Sequence, residues 1–186
     1  INGNNIYKKN SCLIDRLGEK IFSDHISISE IPIVEEGLGT RPFDTEGVKT
    51  YTKQIISDGM LDTYLLDTYS AKQLNLKSTA NSGYSNIQIR SSKPMSENLI
   101  ESIDRGVLIT EMMGSGANLL TGDYSRGAFG YLIEKGKISH PVTNFTIASN
   151  MLDMFKNIDE IGCDFYGNSK INCGSVLIKD MTIGGN

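Results

Sequence analysis

The chain has 186 residues, 39% of them hydrophobic and 22% charged, with a net charge of −4. A chain of this size buries roughly 70% of its unfolded surface, so it forms a core without disulfide or metal staples. The mild acidity excludes a large nucleic-acid footprint, which needs clustered Lys and Arg, and no run approaches the ~18 apolar residues of a membrane-spanning helix.

Residues 2–10 are polar and read as a lead-in. Residues 11–22 mix strand and helix spacing, and Gly18 interrupts both. Residues 23–33 alternate, with Ile26, Ile28 and Ile31 set among Ser27, Ser29 and Glu30, which predicts a strand ended by Pro32. Residues 35–47, with Gly37, Gly39, Pro42 and Gly47, read as a loop long enough to carry function. Residues 48–67 read as a hairpin. Asp58-Gly59 suits a type I′ turn, because both central residues take positive φ. That turn pairs Ile56 with Leu61 and Tyr51 with Leu66. Ser70 then reads as the N-cap of a short helix through Leu76.

A short strand is expected at 87–90. Ser96 reads as the cap of a helix whose Leu99, Ile100 and Ile103 share a face, with Gly106 at its C′ position. Residues 107–113 form the next strand, with Val107, Ile109 and Glu111 pointing one way. A carboxylate ending an apolar face must be paired, hydrogen-bonded or at the mouth of a cleft. Gly114-Ser115-Gly116 reads as a turn without the GK[ST] of a phosphate loop. Residues 127–138 give a second hairpin that turns near Lys135-Gly136, with Ile133 facing Ile138. The small Gly127, Ala128 and Gly130 let another backbone lie close. Residues 150–161 read as a helix capped by Asn150 or Ser149, and 175–178 and 181–183 as short closing strands. The pattern predicts an α+β domain of mostly antiparallel, curved or barrel-like β-sheet with a few short helices.

The chemistry-bearing residues are sparse. His25 and His140, the two histidines, are far apart and in no HExxH or HExxxH pattern, which reads as structural or surface histidine. Cys12, Cys163 and Cys173 are odd in number and lack CxxC spacing, which reads as inert thiols in a reducing, cytoplasmic setting. Ser125 lacks a GxSxG context. The one dense polar group is Glu111, Asn118, Asp123, Tyr124, Ser125 and Arg126. Two accounts stand side by side. Arg126 pairs with Glu111 or Asp123 to tie two loops together, or the cluster lines a groove and holds the main chain of an extended peptide.

The run Thr110-Glu111, Gly114-x-Gly116-x-Asn118, Thr121-Gly122-Asp123-Tyr124-Ser125-Arg126-Gly127-Ala128, Gly130 and Asn150-x-x-Asp153-Met154-Phe155 resembles the PmbA/TldE branch of the TldD/PmbA family, the modulators of DNA gyrase. The likeness extends to Leu38-Gly39-Thr40-Arg41-Pro42-Phe43-Asp44, Tyr69-Ser70-Ala71-Lys72, Ser78-Thr79-Ala80-Asn81 and Gly174-Ser175-Val176-Leu177. The resemblance implies one β-rich C-terminal domain over residues 1–186, a piece of a longer chain whose N-terminal domain is missing. It implies a cytoplasmic, heteromeric metallopeptidase acting on unfolded peptides. In that picture zinc sits in a TldD-like partner subunit with an HExxxH helix and a Cys ligand, and this chain binds no metal or cofactor. Cys173, at a position the branch usually fills with Thr, is accordingly given no metal role. A homodimer in isolation is a further expectation. The alternative is a non-catalytic binding or adaptor module in a gyrase-linked pathway.

Overall fold

The structure, a computed structural model, describes residues 1–90, 97–165 and 169–185. The chain forms two compact units, residues 1–90 with 165–173 and residues 91–164 with 174–186.

The first unit carries helix α1 (Gly3–Tyr7), strands β1 (Ile28–Ile31), β2 (Lys53–Ser57) and β3 (Met60–Leu61), helix α2 (Thr68–Gln73), strand β4 (Asn86–Ile89) and, from its second segment, the strand Ile171–Asn172, here β9. They build one sheet in the order β3-β2-β1-β4-β9, antiparallel except for the β4–β9 pair. The Asp58-Gly59 turn forms as the sequence predicts, with φ of 47° and 83° and Ile56 opposite Leu61. An extra residue in β2 shifts its register against β1 between Ile28 and Ser29. The bulge falls at Ile55 and lets the adjacent Ile55 and Ile56 both be buried, beside Ile21, Ile26 and Leu61.

Three expectations for this unit change. The polar lead-in is helix α1, because the Asn2 side chain accepts the Asn4 amide at 2.9 Å and caps it. Tyr51 does not pair with Leu66. The chain leaves β3 after two residues to bond the N-terminal segment, Gly3 N–H to the Leu65 carbonyl and Leu65 N–H to that of Ile1. The cap of α2 is Asp67, whose carboxylate accepts the Ser70 amide at 2.6 Å, and the helix ends at Gln73.

The second unit carries α3 (Glu97–Glu101), β5 (Arg105–Met113), β6 (Asp123–Glu134), β7 (Lys137–Asn150), α4 (Met151–Lys156), β8 (Ile158–Ile161), β10 (Val176–Ile178) and β11 (Thr182–Gly184). Its main sheet has the order β11-β7-β6-β5, all antiparallel, and β10 pairs with β8 separately. Ala128, Phe145 and Ile147 form its buried centre, with Val107, Ile109, Tyr124, Val142 and Met181 packed around them. The Lys135-Gly136 turn is present, φ 50° and 74°, with Ile133 opposite Ile138.

The expected helix over 150–161 stops at Lys156. Asn150 caps it, and Ile158 and Ile161 are drawn into β8 by pairing with β10. Gly106 lies inside β5 opposite Ile133, not at a helix C′ position. Ser96 falls outside the described residues. The α+β, mostly antiparallel class holds. The sheets are open, with β5 and β11 on opposite edges, so no barrel closes among the described residues.

Candidate functional site

The hairpin joining β5 to β6 carries the polar cluster, and its turn lies one step beyond the expected place. Gly114, at φ 71°, ends β5, but the strands go on pairing through Ala117 and Tyr124. The reversal is the segment 118–123. Asn118 N–H bonds the Asp123 carbonyl at 2.8 Å, and the Asn118 side chain accepts the Leu120 and Thr121 amides at 3.0 and 3.3 Å. Asp123 accepts the Thr121 hydroxyl at 2.6 Å. Asn118 and Asp123 therefore shape the turn itself, as short polar side chains do when they bond nearby backbone. Asn150 holds this turn from β7 by donating to the Thr121 carbonyl at 3.1 Å.

Strand register divides the cluster between two faces. Residues directly opposite in an antiparallel pair share a face. Glu111 lies opposite Phe129, and Asp123 and Ser125 share the parity of Phe129, so these three polar residues occupy one face. Tyr124 and Arg126 share the parity of Ala128, which is buried in the apolar centre. Glu111 was expected on the face of Val107 and Ile109. The register of β5 slips between Ile109 and Glu111, and that bulge turns Glu111 to the opposite side, where it is exposed.

Arg126 pairs with neither Glu111 nor Asp123. It donates to the Met113 and Met112 carbonyls, both at 3.3 Å, and so straps β6 to the end of β5. The Tyr124 hydroxyl reaches the Met112 sulfur at 3.2 Å. The ion-pair account of the cluster is replaced by this backbone strap. What remains open to solvent is a face bearing Glu111, Asp123 and Ser125 beside the outer edge of β5. No described strand pairs with that nine-residue edge. Such an edge offers backbone donors and acceptors to an added strand.

Sequence reading missed the most tightly built polar group, in the first unit. Glu30 and Lys53 stand directly opposite in β1 and β2, and Glu30 is 1% exposed. The Lys53 ammonium donates to Glu30 Oε2 at 2.7 Å and to the Asn81 side chain at 3.1 Å, and lies 4.6 Å from the Tyr51 ring centre. Asn81 also donates to Glu30, and Ser85 gives Oε1 both its backbone N–H, at 2.6 Å, and its hydroxyl, at 2.7 Å. Burial raises the Glu30 carboxyl, but the bonds from Lys53, Asn81 and Ser85 outweigh it and hold the group below its ordinary range. Asp44 behaves alike: burial is outweighed by the Ser82, Val48 and Glu46 amides and the nearby Arg41 charge, and its carboxyl is lowered. The available signal was parity, since Glu30 keeps the alternation of buried Ile26 and half-buried Ile28.

Among the described residues no group of three or more His, Cys, Asp or Glu is placed to hold a metal ion. His25 and His140 are both exposed, and Cys163 is exposed while Cys12 and Cys173 are half-buried. The donor set on these residues does not fit a hydrolytic metal centre, so no step is assigned to one here.

The profile of the PmbA/TldA metallopeptidase C-terminal domain matches residues 1–185. A metalloprotease PmbA homolog of Buchnera aphidicola is 44% identical over 187 residues, covering 100% of this chain and 42% of the relative. Metalloprotease PmbA of Escherichia coli O157:H7 is 44% identical over 186 residues, covering 100% and 41%. A Buchnera TldD homolog is 25% identical over 204 residues, covering 96% and 42%. The chain thus spans about two fifths of the length of the curated relatives it matches. Among solved structures, a Bacteroides thetaiotaomicron protein described as a modulator of DNA gyrase superposes with a TM-score of 0.95 at 33% identity, covering 100% of this chain and 42% of that one. TldE from Thermococcus kodakarensis superposes with a TM-score of 0.87 at 25% identity, covering 99% and 45%.

Proposed function

Because the chain belongs to the PmbA/TldD metallopeptidase family by its C-terminal domain, we propose that it is the peptide-holding, metal-free part of a cytoplasmic two-subunit metallopeptidase. Its companion is a TldD-like subunit that holds the zinc. One observation carries this reading: the 44% match to PmbA-named relatives over the whole chain, against 25% to a TldD-named one, in a chain with no HExxxH.

The part this chain plays is grip. An unfolded peptide adds alongside β5, and the exposed backbone of that edge supplies hydrogen bonds that do not depend on the peptide's side chains. Glu111, Asp123 and Ser125 flank the adjoining face and orient the peptide's own polar groups. Asn118 and Arg126 keep the hairpin in shape, and Tyr124 seats it on the apolar centre. Bond cleavage is left to the companion, whose zinc supplies an activated water when bound.

The test uses the full-length protein, its TldD-type companion and an unfolded peptide. Hydrolysis is expected only from the mixture and is abolished by a chelator. Hydrolysis by this protein alone, surviving a chelator, overturns the reading. Capture of a topoisomerase with no metallopeptidase subunit supports instead the adaptor role that the gyrase-linked name of the Bacteroides protein suggests.

A further inference from the structure

Among the described residues two edges of the β11-β7-β6-β5 sheet have no partner strand, the outer edge of β5 and residues 137–145 of β7. The direction of their backbone groups follows from β6, which runs between them and carries no extra residue of its own. Lys135 N–H bonds the Asp104 carbonyl at 2.6 Å at one end of the β5–β6 pair, and Ser125 N–H bonds the Gly116 carbonyl at 2.8 Å at the other. Odd-numbered residues of β6 therefore turn N–H and C=O toward β5, and even-numbered ones toward β7, because the two directions alternate along a strand. On β5, Gly106, Leu108, Glu111 and Met113 stand opposite odd residues and point inward. Arg105, Val107, Ile109 and Met112 stand opposite even ones and point outward. The same rule turns Thr146 and Ala148 of β7 outward, and they are indeed the residues opposite Gly184 and Thr182 of β11.

The open part of β7 is closed to a further strand by its own sequence. An extra β7 residue interrupts the register between Ala128 and Gly130 and another between Tyr131 and Ile133. Asn144, at φ 56°, lies in the first of these bulges. Between the two bulges the outward residue is Pro141, opposite Tyr131, and proline has no N–H to give. Bulges and prolines blunt a sheet edge against added strands. Residues 105–109 of β5 have neither. Arg105, Val107 and Ile109 follow one another at regular two-residue spacing, each turning one N–H and one C=O outward. That spacing breaks at the Thr110 bulge, and beyond it the Met112 carbonyl is held by Arg126 at 3.3 Å.

We propose that the substrate peptide pairs with residues 105–109 alone, through Arg105, Val107 and Ile109, and that the Thr110 bulge is the stop that fixes its register. This rests on the reading of β5 as the gripping edge and narrows it to one footprint. The ligand is an extended segment of about five residues with no proline at the paired positions, since each paired residue must supply an N–H.

The experiment follows hydrogen–deuterium exchange of single backbone amides in the full-length protein assembled with its TldD-type companion, with and without an unfolded peptide. A chelator keeps the peptide intact. The Val107 and Ile109 amides are expected to exchange fast in the assembly alone and about tenfold or more slower with peptide. The amides of Met112 and of residues 138–144 are expected to stay unchanged. Protection that runs on through Met112, or that appears on β7, overturns the footprint. Slow exchange of Val107 and Ile109 before peptide is added shows that the protein itself covers this edge, and overturns it as well. Val107→Pro removes one outward donor and no inward one. With its folding checked by thermal unfolding, it is expected to raise KM for peptide hydrolysis about fivefold at unchanged kcat, the loss of one backbone hydrogen bond. An unchanged KM overturns the footprint, and if the variant does not fold the exchange pattern decides alone. Hydrolysis by the metal-loaded mixture without any peptide-dependent change on β5 refutes the footprint and leaves the two-subunit reading standing. Absence of hydrolysis by that mixture refutes both.

Discussion

Glu30 is the residue on which the first unit turns. Its carboxylate accepts four bonds, one from the Lys53 ammonium, one from the Asn81 side chain and two from Ser85, all inside the buried part of the unit. Removing one member of such a pair strands the other charge. Glu30→Ala should therefore destabilise by about 3–5 kcal/mol, read as a shift in urea midpoint at pH 7. The pH dependence has a definite sign. The Glu30 carboxyl is lowered in the folded state, so its contribution is complete above the unfolded value of about 4.3 and is lost as pH falls through the folded value. Wild-type stability should drop below about pH 4, and Glu30→Gln should flatten that drop while lowering stability at neutral pH. An unchanged acid slope in Glu30→Gln would show that other carboxylates, Asp44 first among them, carry it.

At the scale of elements, turns were the part legible in the sequence. Asp58-Gly59 and Lys135-Gly136 both set their registers, since a positive φ at two successive positions leaves little choice of partner strand. Bulges were not legible. One extra residue beside Ile109 moved Glu111 across the sheet, and nothing in the alternation of residues 107–113 marks it. The polar cluster was found as a stretch of sequence, but its division between two faces follows from that hidden slip. The end of α4 was missed for a related reason: Ile158 and Ile161 fit a helical stripe equally well, and only β10, distant in sequence, decides for a strand. Of the small residues 127, 128 and 130 read as points of close approach, Gly130 meets backbone while Gly127 meets only the Met113 side chain, and Gly116, read as part of a turn, is a second point where backbone lies close. A Cβ on Gly130 would lie 1.9 Å from the Leu108 carbonyl oxygen, and one on Gly116 1.7 Å from that of Ser125. Backbone cannot yield as a flexible side chain does. Gly130→Ala should lose about 1–3 kcal/mol in thermal unfolding, whereas Gly184→Ala, with open space around it, should change little.

For the whole molecule, the proposed division of labour requires a grip that reads peptide backbone. Among the described residues no strand pairs with the outer edge of β5, the edge next to the Glu111, Asp123 and Ser125 face, while β11 covers only residues 146–148 of β7 and leaves 137–145 a second open edge. In an added antiparallel strand, successive peptide groups point alternately toward and away from the host edge. N-methylation of the peptide removes a donor without altering its side chain. Single N-methyl groups moved along an unfolded peptide should therefore weaken binding at every second position and spare the positions between. Alanine replacement of most peptide side chains should matter far less. Fluorescence anisotropy of a labelled peptide with the assembled subunits gives both series. A pattern that follows side chains and ignores N-methylation would move recognition off the β5 backbone and onto the Glu111, Asp123 and Ser125 face, where charge reversal at Glu111 would then be the substitution that matters.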